Sequence, residues 1–109
     1  MTVKQCLDMV EAFCPTEAEM AVKLQLLAEI EGRVRVELLG EEPGDVDING
    51  ATPTDRELTV PAPYDRLYWL YVTAMLYVIG GYTERYEAYA ALFNGAYREY
   101  GKWLKRRGD

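Results

Sequence analysis

The chain has 109 residues, half of them apolar by a wide count, with 28% charged residues and a formal net charge of −6. That is one domain's worth of sequence with enough apolar surface to bury a core, which excludes disorder along the whole chain. The acidic balance argues against specific nucleic-acid binding, because gripping a phosphate backbone needs a clustered basic surface.

The elements follow in chain order. Thr2-Val3-Lys4-Gln5 has the form of a capping box, a hydroxyl followed three residues later by Gln. Val3, Cys6, Leu7, Val10, Phe13 and Cys14 then recur at helical spacing, which predicts a first helix near residues 3–14, closed by Pro15. A second box, Thr16 to Glu19, opens a predicted helix over 17–39. Its stripe is Met20, Leu24, Leu27, Ile30, Val34 and Leu38, with Glu31 polar and Gly32 a weak point. Gly40 is its stop. Val34 to Leu38 also alternates, so a short strand competes there, but continuity of the period favours helix.

Residues 40–62 hold three prolines, three glycines and many acids. They predict a long acidic loop, of a kind that is often functional or mobile. Leu58-Thr59-Val60 makes a short extended piece at its end. A third helix over 63–79 begins with Pro63 in its first turn. Tyr64, Tyr68, Tyr71, Met75 and Val78 form one stripe, and Leu67, Leu70 and Tyr77 cover another side. Apolar nearly all round, this helix is expected at the centre. Gly80-Gly81 ends it, and a fourth helix follows over 83–106 with Thr83 as N-cap. The short link predicts an antiparallel hairpin. The expected fold class is therefore all-α, a bundle of about four helices.

Composition removes several chemistries. There is no histidine, hence no usual general base, metal ligand or histidine-dependent triad. Cys6 and Cys14, eight apart in one helix, would be separated by about 12 Å, too far for a disulfide. They are expected as free thiols in a reducing compartment. The N-terminus lacks the apolar run of a signal peptide. The uncharged run Leu67 to Thr83 is broken by tyrosines and the Gly80-Gly81 pair, so a buried helix is expected rather than a membrane span. Arg98, Lys102, Lys105, Arg106 and Arg107 suit a helix C-terminus, where the macrodipole favours cations. The sharper reading makes them a tail that touches an acidic neighbour or a nucleic acid.

Three groups of residues are candidates for function. Asp45-Val46-Asp47-Ile48-Asn49-Gly50 matches the first half of an EF-hand loop, in which oxygens converge on calcium around a glycine turn. The second half departs from the pattern: Arg56 stands where a bidentate Glu belongs and Glu57 falls one residue late. Asp45, Asp47, Asn49 and Glu57 are thus a calcium candidate, set against a plain acidic turn. Glu29, Glu31, Glu41 and Glu42 are candidates for acid–base work by number alone, with solvated helix faces as the simpler expectation. No phosphate loop, GxSxG or CxxC is present.

The third group is aromatic. All nine tyrosines lie between Tyr64 and Tyr100, more than a small helical core needs. Tyrosine suits places with one apolar and one wet end, and it is enriched at protein interfaces. Tyr64, Tyr68, Tyr71, Tyr86, Phe93 and Tyr97 are assigned to the core. Trp69, Tyr77, Tyr82, Tyr89, Tyr100 and Trp103, with the small ridge Ala88, Ala91 and Gly95, are assigned to an interface with another chain.

Val60-Pro61-Ala62-Pro63-Tyr64-Asp65, Gly81-Tyr82 with Arg85-Tyr86, Leu92-Phe93-Asn94 and Ala96-Tyr97 give the C-terminal half a specific likeness. With the openings TVKQCLDMVE and LLAEIEGRV, the chain resembles a family of small proteins from the head-morphogenesis cluster of tailed phages and prophages, the head–tail connectors or adaptors. The resemblance covers most of the chain and omits roughly residues 41–57. The Asp45 to Gly50 loop has no counterpart in the family pattern.

The resemblance implies a helical, non-enzymatic structural protein without a cofactor. It implies assembly with itself as a ring, with portal and tail-completion proteins as partners. It places the protein in the bacterial host cytoplasm during assembly and at the virion head–tail junction afterwards. An acidic channel would there let DNA slide without sticking. The alternative from the residues alone is a calcium-responsive binding domain built on Asp45 to Glu57.

Overall fold

In the computed structural model, which describes residues 1–108, the all-α class is seen directly: α1 (Val3–Phe13), α2 (Met20–Arg33), α3 (Arg66–Ile79) and α4 (Thr83–Arg107). No strand occurs among the described residues, only a single antiparallel bridge between Thr2 and Glu57. No helix among them is long and apolar enough to cross a membrane.

The first helix starts as its sequence predicts. Thr2 and Gln5 exchange both capping hydrogen bonds, Gln5 N donating to Thr2 Oγ1 at 3.1 Å and Thr2 N to Gln5 Oε1 at 2.9 Å. The other free amides of this turn are met by the chain that returns after α2. Val3 N donates to the Arg56 carbonyl at 3.0 Å and Lys4 N to the Thr54 carbonyl at 2.9 Å. All orphan donors of the helix start are thereby satisfied. Cys6 and Cys14 are free and buried, and burial pushes the Cys6 thiol up to about 12.

The second box does not form. Thr16 Oγ1 accepts from Ala18 N at 3.1 Å in a local turn, and α2 begins later, at Met20, with Glu19 as a cap that makes no side-chain bond. Pro15 and the Thr16 turn delay the helix because the hydroxyl is spent two residues on rather than three. Met20 itself is exposed, whereas Leu24, Leu27, Ile30 and Val34 are buried. After Arg33 the helix widens into a π turn over Val34–Leu38, with Leu39 N donating to the Val34 carbonyl at 3.1 Å. The competing strand is not formed. Gly40, at φ 72°, takes the left-handed turn that ends the helix.

Residues 40–62 hold no helix or strand, but their apolar side chains are anchored in the core. Ile48, Leu58 and Val60 are buried in the main core, and Leu58 N donates to the Met1 carbonyl at 2.9 Å. Gly32 makes room for this packing: a Cβ there would lie 3.2 Å from Val46 Cγ2. The apolar residues scattered among the acids anchor the segment, and the acids face outward.

Turns over Pro61 to Asp65 delay α3 to Arg66. As expected, α3 is central, packing against α1, α2 and α4. Leu67, Tyr68, Leu70, Val72, Leu76 and Tyr77 are all buried. Gly80-Gly81 turns the chain, Gly81 at φ 81°. Thr83 is the first residue of α4 rather than its cap, which is Tyr82. The pairs Arg66–Glu99, Tyr71–Phe93 and Tyr77–Tyr89 run in opposite directions along α3 and α4, as an antiparallel hairpin requires.

One core position is strained in polarity. Thr73 Oγ1 is buried without a hydrogen-bond partner among the described residues. Thr73→Val removes that hydroxyl at nearly constant shape and is expected to stabilise the domain by about 1 kcal/mol. A urea midpoint at or below that of the parent would contradict this.

Candidate protein interface

The tyrosine surplus is largely absorbed within the chain, and acids of α2 and its π turn absorb much of it. Tyr68 Oη donates to Glu31 Oε1 at 2.6 Å, Tyr71 Oη to Glu29 Oε2 at 3.2 Å, and Tyr97 Oη to Glu37. Tyr77 Oη donates to the Phe13 carbonyl at 2.7 Å. Arg33 completes the Tyr97 contact, 3.0 Å from Glu37 and 4.8 Å above the Tyr97 ring. The Tyr97 and Arg33 hydrogen bonds hold the Glu37 carboxyl below its usual range.

Glu31 departs most from expectation. Instead of a solvated face it is fully buried. Besides Tyr68, its Oε2 accepts from Thr59 N and Thr59 Oγ1, each at 3.1 Å, and lies 3.5 Å from Arg35 Nη2. Val60 N donates back to Tyr68 Oη at 2.9 Å. This network clamps the 57–61 segment between α2 and α3. Its centre, Glu31 with Tyr68, is fully buried, and Thr59 and Arg35 carry its edge to the surface. Glu29, Glu41 and Glu42 are exposed.

The calcium candidate is not assembled. Among the described residues no group of three or more His, Cys, Asp or Glu could hold a metal ion. The loop spends its oxygens on itself: Asn49 Nδ2 donates to Asp47 Oδ1 at 2.8 Å, and Ala51 N to Asn49 Oδ1 at 2.8 Å. Arg56 Nη1 donates to the Asp47 carbonyl. Glu57 is drawn away into the bridge with Thr2.

The aromatic assignments divide. Tyr68 and Phe93 are buried, and Tyr64, Tyr71, Tyr86 and Tyr97 are half-buried against the core. Two residues assigned to an interface, Tyr77 and Tyr100, are instead buried in this chain. Tyr77 is held by its bond to Phe13, and Tyr100 lies against Tyr64 and Trp103. Tyr89 packs half-buried on Tyr77, and Trp103 is half-buried under Arg107. Tyr82 is 57% exposed.

Two exposed apolar features remain. A flank groove of about 360 Å³ between α3 and α4 is lined by Trp69, Leu70, Ala91, Leu92, Gly95 and Ala96, with the Arg66 and Glu99 ion pair beside it. On the small ridge Ala88 and Ala91 are exposed, and a Cβ on Gly95 would meet nothing within 4 Å. Leu92 is 57% exposed on this groove, and Phe13 stacks on Trp69 at 4.8 Å. The second feature is a cleft of about 590 Å³ at the α3–α4 turn, lined by Cys14, Pro15, Val22, Ile79, Tyr82 and Arg85, among others. Ile79 is 64% exposed.

Phe13, Ile79 and Leu92 were not singled out from sequence as surface residues. A signal was present for Ile79, an apolar side chain directly before Gly80-Gly81, where a helix runs out of neighbours to pack on. Comparison with known protein families, characterised proteins and solved structures found no match.

Proposed function

We propose that this chain is a structural assembly protein that works by packing against other protein chains, of the kind that connects head to tail in tailed phages and prophages. The observation that carries this reading is the flank groove, an open apolar trough with a small-residue floor, exposed Leu92 and half-buried Trp69 at its edges. Exposed apolar patches of this kind mark interaction sites, and small residues admit a partner helix closely. The Glu31–Tyr68 network joins segments of this same chain. Ring assembly with its own copies and attachment to portal and tail-completion proteins, formed in the host cytoplasm and retained at the head–tail junction, follow from the sequence resemblance. No enzymatic role is included.

The test is association. Sedimentation and light scattering should show concentration-dependent oligomers, or co-expression with a portal protein should retain the chain on it. Leu92→Glu should weaken retention on the portal or tail protein at least tenfold, since truncating or charging a central apolar contact costs about 2 kcal/mol or more. Millimolar calcium should change nothing. A chain that stays monomeric and is not retained by portal or tail proteins would overturn the proposal.

A further inference from the structure

The charges of the molecule are segregated along its longest helix. The last ten residues of α4, Arg98 to Arg107, hold five cations and one acid, and that acid, Glu99, is paired with Arg66. Among the described residues Arg98, Lys102, Lys105 and Arg106 make no ion pair, and all are exposed. At the other end of α4 lies the cleft beside Ile79 and Tyr82. Glu17 lines it, and the exposed Glu19 and Glu84 adjoin its lining residues Ala18 and Arg85 in sequence. The basic group nearest its centre, Arg85, is turned over the Tyr77 and Tyr82 rings at 5.6 and 5.7 Å.

An apolar floor with an acidic rim matches one class of ligand well, the long basic side chain. Lys and Arg lay their methylene stems on apolar surface while their heads reach acids or aromatic faces. A pole-to-pole contact between two such clefts would instead set acids against acids. The chain itself carries a basic amphipathic end, but α4 has 25 residues and spans about 37 Å. Its tail therefore cannot fold back into its own cleft.

We infer that the cleft at the α3–α4 turn receives the basic C-terminal turns of α4 from a second copy of this chain, giving a head-to-tail contact. Such a heterologous interface closes into a ring when its rotation closes, and otherwise grows as a filament. The inference rests on the assembly reading above and specifies its geometry: the flank groove is left free for a different partner.

A charge-swap experiment tests it. Lys102→Glu/Arg106→Glu and Glu17→Lys/Glu19→Lys each alter exposed side chains outside any ion pair, with circular dichroism to verify folding. Each variant alone should self-associate at least tenfold more weakly by sedimentation, and an equimolar mixture of the two should recover mixed oligomers. Lys102→Gln/Arg106→Gln, gentler on the helix end, should lose an intermediate amount, and raising salt from 50 to 500 mM should weaken the parent. If the parent associates and neither reversal matters, the head-to-tail contact is wrong while the assembly reading stands. The same holds for a monomer that a portal protein still captures. If the tail reversal abolishes only retention on duplex DNA, the tail is a nucleic-acid contact and the inference fails. A monomer captured by nothing overturns both.

Discussion

Replacing Glu31 with alanine is expected to destabilise the domain by about 3–5 kcal/mol, from a buried donor left unpaired and the space of a fully buried side chain left empty. The carboxylate is fully buried and accepts from Tyr68 Oη, Thr59 N and Thr59 Oγ1, with Arg35 at 3.5 Å. Alanine strands the buried Tyr68 hydroxyl, while the donors of exposed Thr59 can turn to water and Arg35, part exposed, can turn outward. Against a total of roughly 5–15 kcal/mol for a small domain, that is a large fraction. The melting temperature should fall by more than about 10 °C. Glu31→Gln keeps the shape and one acceptor oxygen, so it should lose less, about 1–2 kcal/mol. Urea unfolding followed by circular dichroism reads both, and a Glu31→Ala midpoint within error of the parent would refute the clamp.

Tyr68→Phe removes one oxygen from the same network and should lose about 2 kcal/mol. The ring remains, so no cavity opens. The loss comes from Val60 N, left without its 2.9 Å acceptor, and from Glu31, left without its 2.6 Å donor. Because the two groups share one network, the double variant with Glu31→Gln should be less destabilised than the sum by about 1 kcal/mol or more; strict additivity would mean the contacts are independent. The hydroxyl also predicts a pH dependence. Burial first, and then the nearby Glu31 charge, raise the Tyr68 phenol far above its ordinary value of 10.0. The folded state therefore keeps a proton that the unfolded state releases, and stability should fall as pH rises above about 10. Tyr68→Phe should flatten that slope.

The network also shows how closely a sequence can approach a feature and still miss it. Leu24, Leu27, Glu31, Val34 and Leu38 recur at alternating three and four residues. A carboxylate therefore stands on the line that a helix turns to its core. Taking Ile30 as the core position there placed Glu31 on a solvated face; in the structure both are buried. Periodicity locates a face to within one residue but does not say which buried polar group finds partners. Those partners, Thr59 and Tyr68, lie 28 and 37 residues away.

The same limit explains the tyrosines. Their number and helical spacing marked a surface with one apolar and one wet side, and that is what they line. The sequence did not show that the wet side would be supplied by Glu29, Glu31 and Glu37 of the same chain. Tyr77 and Tyr100, which sequence pattern assigns to an interface, therefore close the core instead. Trp69, Ala91 and Gly95 do meet in one exposed groove, because small side chains on α4 opposite a ring on α3 leave a trough between adjacent helices.

By itself the sequence determined the four helices, the central place of α3, the antiparallel hairpin, and the Thr2–Gln5 cap. These follow from local periodicity and capping, which depend on neighbours within a few turns. Only the tertiary structure decided that the 40–62 segment is anchored through Ile48, Leu58 and Val60, that the EF-hand-like side chains hydrogen-bond within their own loop, and that Glu31 is buried. It also decided which aromatic faces remain open. Each of those outcomes depends on contacts between distant segments, where a side chain's fate is set by what the fold brings to it.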